Sequence, residues 1–223
     1  MAADTVLILA NGAWGDATRL RELADRAGRV IAADGAWAKA VAVGIPVDRV
    51  IGDLDSLTDE QKASLRESGV EVQVHPPDKD FTDLRLALDH ALSLSPKKLI
   101  VFGAFGGRID HTLANVLLLE RAVARGVEVE LIADGETVWL IRGGFTLPIG
   151  RTGDRVSLIP LSEEAIIRTD GLRYRLDDEP LVRASAHGIS NVIEGLPVRI
   201  AVRSGTVLVV HGPADEPEGA AGR

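Results

Sequence analysis

Leu99-Ile100-Val101-Phe102-Gly103-Ala104-Phe105-Gly106-Gly107-Arg108-Ile109-Asp110-His111 contains the unit from which the first part of this chain is built. Residues 99–102 form a short apolar run of the kind that makes a strand buried on both faces. Glycines then turn the chain, and residues 111–125 have helical spacing. The same rhythm recurs upstream. Residues 5–9, 30–33, 50–51 and 70–74 read as strands, and residues 17–27, 36–43, 58–68 and 82–94 as helices. The last helix carries Leu84, Ala87, Leu88, Ala91 and Leu92 on one stripe. A strand at 129–133 closes the series. Strand–helix alternation of this kind predicts an α/β fold with a doubly wound, mostly parallel sheet.

The pattern changes at Asp134-Gly135. Short β segments follow at 138–141, 145–147, 155–159, 166–169, 198–202 and 206–210, with no helix-length pattern among them. Gly143-Gly144, Thr152-Gly153-Asp154, Asp170-Gly171 and Ser204-Gly205 read as the turns between them. This predicts a C-terminal antiparallel β-sandwich. The expected organisation is a Rossmann-like α/β domain over 1–134, a β-sandwich over 135–213 and a disordered Pro/Glu/Gly/Ala tail over 214–223.

Composition removes several function classes. The 223 residues carry a formal charge of −8, which argues against nucleic-acid binding, since that needs a basic footprint. There is no cysteine, so disulfides, thiolate catalysis and zinc–sulfur sites are excluded. No apolar run reaches a membrane span, and the N-terminus lacks the basic start of a signal peptide, so a cytoplasmic protein without membrane association is expected.

In open α/β sheets, ligands bind beyond the carboxyl ends of the strands. Here those ends carry Asn11-Gly12, Asp34-Gly35, Gly52-Asp53-Leu54-Asp55-Ser56 and the glycine run 103–107. Any one of these is also an ordinary βα turn; four of them make a rim. Asp53 and Asp55 are spaced i, i+2, and two carboxylates in one volume repel unless a cation lies between them. Magnesium, which takes carboxylates and substrate phosphates as ligands, fits that need. The competing reading makes Asp55 or Ser56 a cap for the helix near Thr58, but Asp53 is too early for that.

In Asp78-Lys79-Asp80-Phe81-Thr82-Asp83, Asp80 and Asp83 open a helix, one as cap and the other as dipole partner. Lys79 adds a cation beside them, as a triphosphate site would. Arg108 among glycines has the fork geometry for phosphate, and Asp110 opens a helix whose face carries His111 and Asn115. An Asp N-cap after a glycine turn is the plainer account of Asp110. The segment is neither a Walker A loop nor a dinucleotide fingerprint. The five histidines show no metal-ligand spacing.

Taken in order, Ala33-Asp34-Gly35, Ile51-Gly52-Asp53-Leu54-Asp55-Ser56, Lys79-Asp80-Phe81-Thr82-Asp83 and Gly106-Gly107-Arg108-Ile109-Asp110-His111-Thr112-Leu113-Ala114-Asn115 resemble the motifs of thiamine pyrophosphokinases. Val156-Ser157-Leu158-Ile159-Pro160, Gly171-Leu172-Arg173-Tyr174-Arg175-Leu176 and Gly188-Ile189-Ser190-Asn191 extend the resemblance into the second domain. It implies transfer of a diphosphate from ATP to the hydroxyethyl group of thiamine, with AMP as the other product. It also implies Mg2+ and a homodimer whose thiamine site lies at the subunit interface.

Carried over by motif, Asp53, Asp55, Asp83 and Asp110 are the catalytic acids, with Asp53 and Asp55 on the metal. Arg108 and Lys79 fall at phosphate positions, and Ser190 and Asn191 at the sandwich's part of the thiamine pocket. Asn11, Asp34, Ser56, Asp80, Thr82, His111 and Asn115 complete the ligand-binding set. Two departures from the family pattern, Ala36-Trp37 after Asp-Gly and Val192 after Ser190-Asn191, concern details of ligand fit. The rival readings are a diphosphokinase acting on a pterin alcohol, a magnesium-dependent phosphatase using Asp53 and Asp55, and a non-enzymatic thiamine sensor.

Overall fold

The computed structural model describes residues 4–214 apart from 16, 77, 79 and 134, so the expected tail beyond Ala214 lies outside the described residues. The chain forms two compact units, 1–134 and 135–223. The first comprises β1 (Thr5–Leu9), α1 (Ala17–Arg26), β2 (Arg29–Ala33), α2 (Ala36–Ala42), β3 (Arg49–Gly52), α3 (Asp59–Glu67), β4 (Glu71–Val74), α4 (Asp83–Ser93), β5 (Lys98–Phe102), α5 (Ile109–Leu118), α6 (Glu120–Val123) and β6 (Glu128–Ile132).

Its strands pair in parallel in the order β4-β3-β2-β1-β5-β6. The central strands are covered by helices on both faces, and Val6, Leu7, Ile8 and Leu9 of β1 are all 0% exposed. One face of the sheet presents Leu7, Leu9, Val30, Ala32, Val50, Ile100 and Phe102 to Leu20, Trp37 and Leu65 of α1, α2 and α3. The α4 stripe of Leu84, Ala87, Leu88 and Ala91 is buried, and that helix packs on β1, β2 and β3. The strand order changes direction between β1 and β5, where a crevice opens beyond the strand ends.

Caps fall on threonines rather than aspartates. Thr58 caps α3 in a reciprocal box with Gln61, so neither Asp55 nor Ser56 is needed there. Thr82 caps α4 through the Arg85 amide, which leaves Asp83 as the first helical residue and Asp80 outside the helix. Thr58→Ala should cost about 1 kcal/mol in urea unfolding. The stretch expected as one helix over 111–125 is two, α5 and α6. Around Leu119 the amides bond three residues back (Leu119 to Val116, Ala122 to Leu119), and the tightened turn breaks the regular ladder. Asp110 lies inside the first turn of α5, behind Arg108 at the cap position.

The second unit holds β7 (Thr137–Thr146), β8 (Arg155–Pro160), β9 (Glu164–Asp170), β10 (Glu179–Val182), β11 (Asn191–Val192) and β12 (Arg199–Gly212), all paired antiparallel. Two segments taken from sequence as turns lie within long strands. β7 runs through Gly143-Gly144 and β12 through Ser204-Gly205, with a register shift between Val202 and Val207. Gly205 sits at φ +89, and a Cβ there would be 2.8 Å from the Glu164 carbonyl. The bulge lets β12 follow β7 along its length while changing partners on its other edge, from β9 to β8. Trp139, Leu158, Ile167, Ile193, Val198 and Val209 share the apolar cluster that these strands enclose.

Candidate active site

A cleft of about 320 Å³ lies in the first unit at the β1/β5 crossover. Its walls are strand ends and helix starts. Asn11 and Gly12 follow β1, Asp34 follows β2, Ser56 follows β3, Thr82 and Asp83 open α4, and the loop 103–108 leads into His111, Thr112 and Asn115 of α5. The two loops at the crossover are joined edge to edge. Ala10 N–H donates to Phe102 O (2.8 Å), Gly12 N–H to Gly103 O (2.9 Å) and Ala13 N–H to Phe105 O (2.6 Å). The contact is too close for side chains, since a Cβ on Gly12 would lie 2.3 Å from Phe105 O and one on Gly106 2.4 Å from the Ala13 Cβ. Asn115 fastens the same loop from α5, donating through Nδ2 to Ala104 O at 2.9 Å.

Two of the lining residues, Asp34 and Asp83, group with Asp53, and carboxylate oxygens of the three all lie within 4.8 Å of one another. Asp34 is 4% exposed, and its Oδ1 is buried without a hydrogen-bond partner. The residue is held at φ +46, and Leu54 between the two motif aspartates at φ +64. Non-glycine residues in this region are strained and tend to occur where a site requires them. Gly52 makes room for the group, as a Cβ there would stand 2.8 Å from that of Asp34.

Asp53 is therefore grouped with Asp34 and Asp83 rather than with its motif neighbour Asp55. The Asp53 Oδ1 accepts from the Asp55 amide (3.1 Å), and the exposed Asp55 carboxylate accepts from Ser56 Oγ at 3.3 Å. Three carboxylates, one with an orphaned buried oxygen, form an oxygen-only donor set suited to a hard divalent cation.

At the rim, Arg108 makes a two-pronged bond to Asp110, through Nε to Oδ1 (3.1 Å) and Nη2 to Oδ2 (2.5 Å). The guanidinium bond holds Asp110 below the usual carboxylate range, with smaller help from the His111 amide. Arg108 itself lines the cleft. Asp80 is exposed and does not line the cleft, and Lys79 lies outside the described residues. Ala10, Leu84, Ala104 and Thr112 line the cleft without having been expected to. They offer mainly backbone and small side chains, and nothing in a single sequence distinguishes these from core.

Ser190 and Asn191 belong to the second unit. Both ends of the buried Asn191 amide are taken by the backbone of Tyr174, whose N–H donates to Oδ1 (3.0 Å) while Nδ2 donates to its carbonyl (2.7 Å). Asn191 thus fixes the segment that presents the exposed Tyr174 ring. Ser190 is exposed at φ +58, with its amide donating to Ser157 Oγ.

Two family models match the chain. Residues 20–131 match the catalytic domain of thiamin pyrophosphokinase, and residues 146–207 match its vitamin B1 binding domain. A thiamine pyrophosphokinase of Bacillus subtilis is 33% identical over 66% of this chain and 69% of its own length. Thiamine pyrophosphokinase 1 of rice is 30% identical over 69% of this chain and 61% of its own. The crystal structure of the Bacillus subtilis enzyme superposes with a TM-score of 0.84 at 26% identity, covering 95% of this chain and all of that one.

Proposed function

The chain belongs to the thiamin pyrophosphokinase family, and from that premise we propose that it transfers a diphosphate from ATP to thiamine in the cleft beyond β1, β2, β3 and β5. The observation that carries this reading is the group of three aspartates with its unpartnered Asp34 oxygen. A carboxylate is left buried and unsatisfied only where something else completes it.

Asp34, Asp53 and Asp83 would hold a divalent cation, taken to be magnesium, with Asp55 adding negative charge beside them. When bound, the ion neutralises the polyphosphate of ATP and withdraws charge from its β-phosphorus. The thiamine hydroxyl attacks that phosphorus, the bond to the bridging oxygen of the α-phosphate breaks, AMP leaves, and the hydroxyl proton passes to a carboxylate of the site.

The chain's own task is positioning and charge placement, which dominate phosphoryl-type transfer. The glycine loops bring backbone to the phosphates, the α4 and α5 N-termini face the same cleft, and Arg108 lines it at the rim. Asp83 lines the cleft as one of the carboxylates proposed to hold the cation, and Asp110 is paired with Arg108 at the rim. The test is an AMP assay with ATP, magnesium and a panel of alcohols. AMP formed with thiamine alone supports the reading. AMP formed with a pterin alcohol instead, or free phosphate without AMP, overturns it.

A homodimer is part of the proposal, with Ser190 of the partner subunit reaching the thiamine end of each site. Its support is α5, none of whose residues is buried. Ile109, Leu113 and Leu117 form an exposed stripe at i, i+4, i+8, 77%, 60% and 55% exposed, on the helix that carries the cleft residues His111 and Asn115. Leu113→Asp should leave the fold intact and shift the mass in light scattering from twice the 23.7 kDa chain mass to one chain. A wild-type monomer, or a dimeric variant, removes the interface from this helix. Among the described residues no helix is long and apolar enough to cross a membrane.

A further inference from the structure

Beside the β1 loop that borders the cleft, α2 carries a lysine that none of the motifs contains. Lys39 donates from Nζ to the carbonyl of Asn11 at 2.9 Å and to that of Gly12 at 2.8 Å. It does not line the cleft, although Asn11 and Gly12 both do. Its ammonium lies 5.9 Å from the centroid of the Trp14 ring, which closes over it from the same loop. Trp14 is itself held by Nε1 donating to Ala10 O at 2.8 Å and by an edge-on contact with Phe102. The contacts of the Lys39 ammonium among the described residues are these carbonyls and the Trp14 ring, and burial lowers its pKa from the ordinary lysine value. A half-buried cation held on carbonyls carries a desolvation cost, so its two carbonyl contacts have a use that outweighs that cost.

That use follows from the geometry of the loop. The amides of Gly12 and Ala13 are spent on the carbonyls of the 103–105 loop. The carbonyls of Asn11 and Gly12 would otherwise be the unsatisfied groups of a segment that borders a polyanion site. Carbonyl dipoles turned toward phosphate repel it; turned onto an ammonium, they are removed from the cleft and the loop is locked. The Asn11 side chain is held from its other side, since the Cα of Gly35 passes so close that a Cβ there would be 2.7 Å from Asn11 Nδ2.

We propose that Lys39 is the positioning residue of the nucleotide side of this cleft. It acts through the Asn11 and Gly12 carbonyls to hold the β1 loop in the conformation that accepts a polyphosphate. The inference rests on the reading of the cleft as an ATP site.

The absence of cysteine from the chain makes a clean test available. Lys39→Cys introduces a single thiol, which 2-bromoethylamine converts to a lysine analogue and iodoacetamide to a neutral amide of similar length. For Lys39→Cys the KM for ATP should rise about tenfold, with kcat and the KM for thiamine changed less than threefold. Aminoethylation should restore the KM for ATP to within twofold of wild type, and carbamidomethylation should not.

An unchanged KM for ATP overturns the proposal. So does recovery with both reagents, which would mark a packing role only, or equal losses in every parameter. Titration calorimetry with a non-hydrolysable ATP analogue and magnesium keeps the two claims separate. If wild type binds the analogue but forms no AMP with thiamine, the diphosphate-transfer reading fails. The Lys39 proposal is then decided by whether the dissociation constant shows the same loss and charge-specific recovery. If wild type does not bind the analogue, both fail.

Discussion

Replacing Asp34 with Asn is expected to abolish AMP formation and, in the same molecule, to raise the melting temperature of the ligand-free protein. Asp34 is 4% exposed, has an unpartnered Oδ1, and stands with Asp53 and Asp83 in a group of carboxylates within 4.8 Å. Without a cation the three repel one another, and the buried one has lost its water. Asn has nearly the same shape and tolerates φ near +46, and its amide would donate to the neighbouring carboxylates.

Relief of about 1 kcal/mol would raise the melting temperature by roughly 2–4 °C in a protein of this size. Loss of one of three metal-binding carboxylates should cost on the order of 1,000-fold in turnover, the scale of losing a principal electrostatic contact in a transition state. Magnesium should also cease to stabilise the variant thermally, which reads the metal directly and without turnover. Two results would defeat the idea: a variant that forms AMP within tenfold of wild type, or one that melts lower than wild type in the absence of metal.

Gly12→Ala should be the most damaging single methyl group in the first unit. The new Cβ would meet Phe105 O at 2.3 Å and Gly103 O at 2.4 Å, both backbone atoms of the opposite loop. A flexible side chain can swing aside; a carbonyl fixed in the β1/β5 junction cannot without opening the 2.9 Å and 2.6 Å bonds of Gly12 and Ala13. Overpacking of this kind should cost roughly 2–3 kcal/mol or more. Urea unfolding followed by fluorescence of Trp14 and Trp37, both in this unit, would measure it. AMP formation should fall at least 100-fold even where the variant is folded, because Asn11 is displaced from the cleft wall. Gly144→Ala is the control, since a Cβ there meets nothing within 4 Å and stability should be unchanged. A fully active, stable Gly12→Ala would show that the two loops are not rigidly joined.

Much of the fold was readable from local pattern. The buried runs around Leu7, Ile31 and Ile100 could only be strands covered on both sides, and the spacing of Leu84, Leu88 and Ala91 could only be one helical face. Gly143-Gly144 and Ser204-Gly205 misled, because a bulge and a turn use the same residues. Whether Gly205 turns the chain back or lets β12 continue depends on β7, β8 and β9 alongside it. The break at Leu119 was hidden for a similar reason, since residues 111–125 all suit a helix and tertiary burial of Leu119 goes with the tightened turn.

For the site, the sequence by itself determined which chemistry is present: acidic residues, glycines and an arginine at the ends of successive strands, in an order that marks the family. It also determined that these ends would share one rim, because parallel strands joined by helices all finish on the same side. Only the tertiary structure decided which carboxylates meet. Spacing paired Asp53 with Asp55, but the chain leaves β3 at Gly52 and turns at Leu54 with φ +64, so Asp55 is exposed beside Ser56. Asp34 and Asp83, 19 residues before Asp53 and 30 after it, close on it instead, and Lys39 comes to the β1 loop from 27 residues away. Such approaches are set by packing helices onto a twisted sheet, a sum of many weak contacts far along the chain that local spacing does not encode.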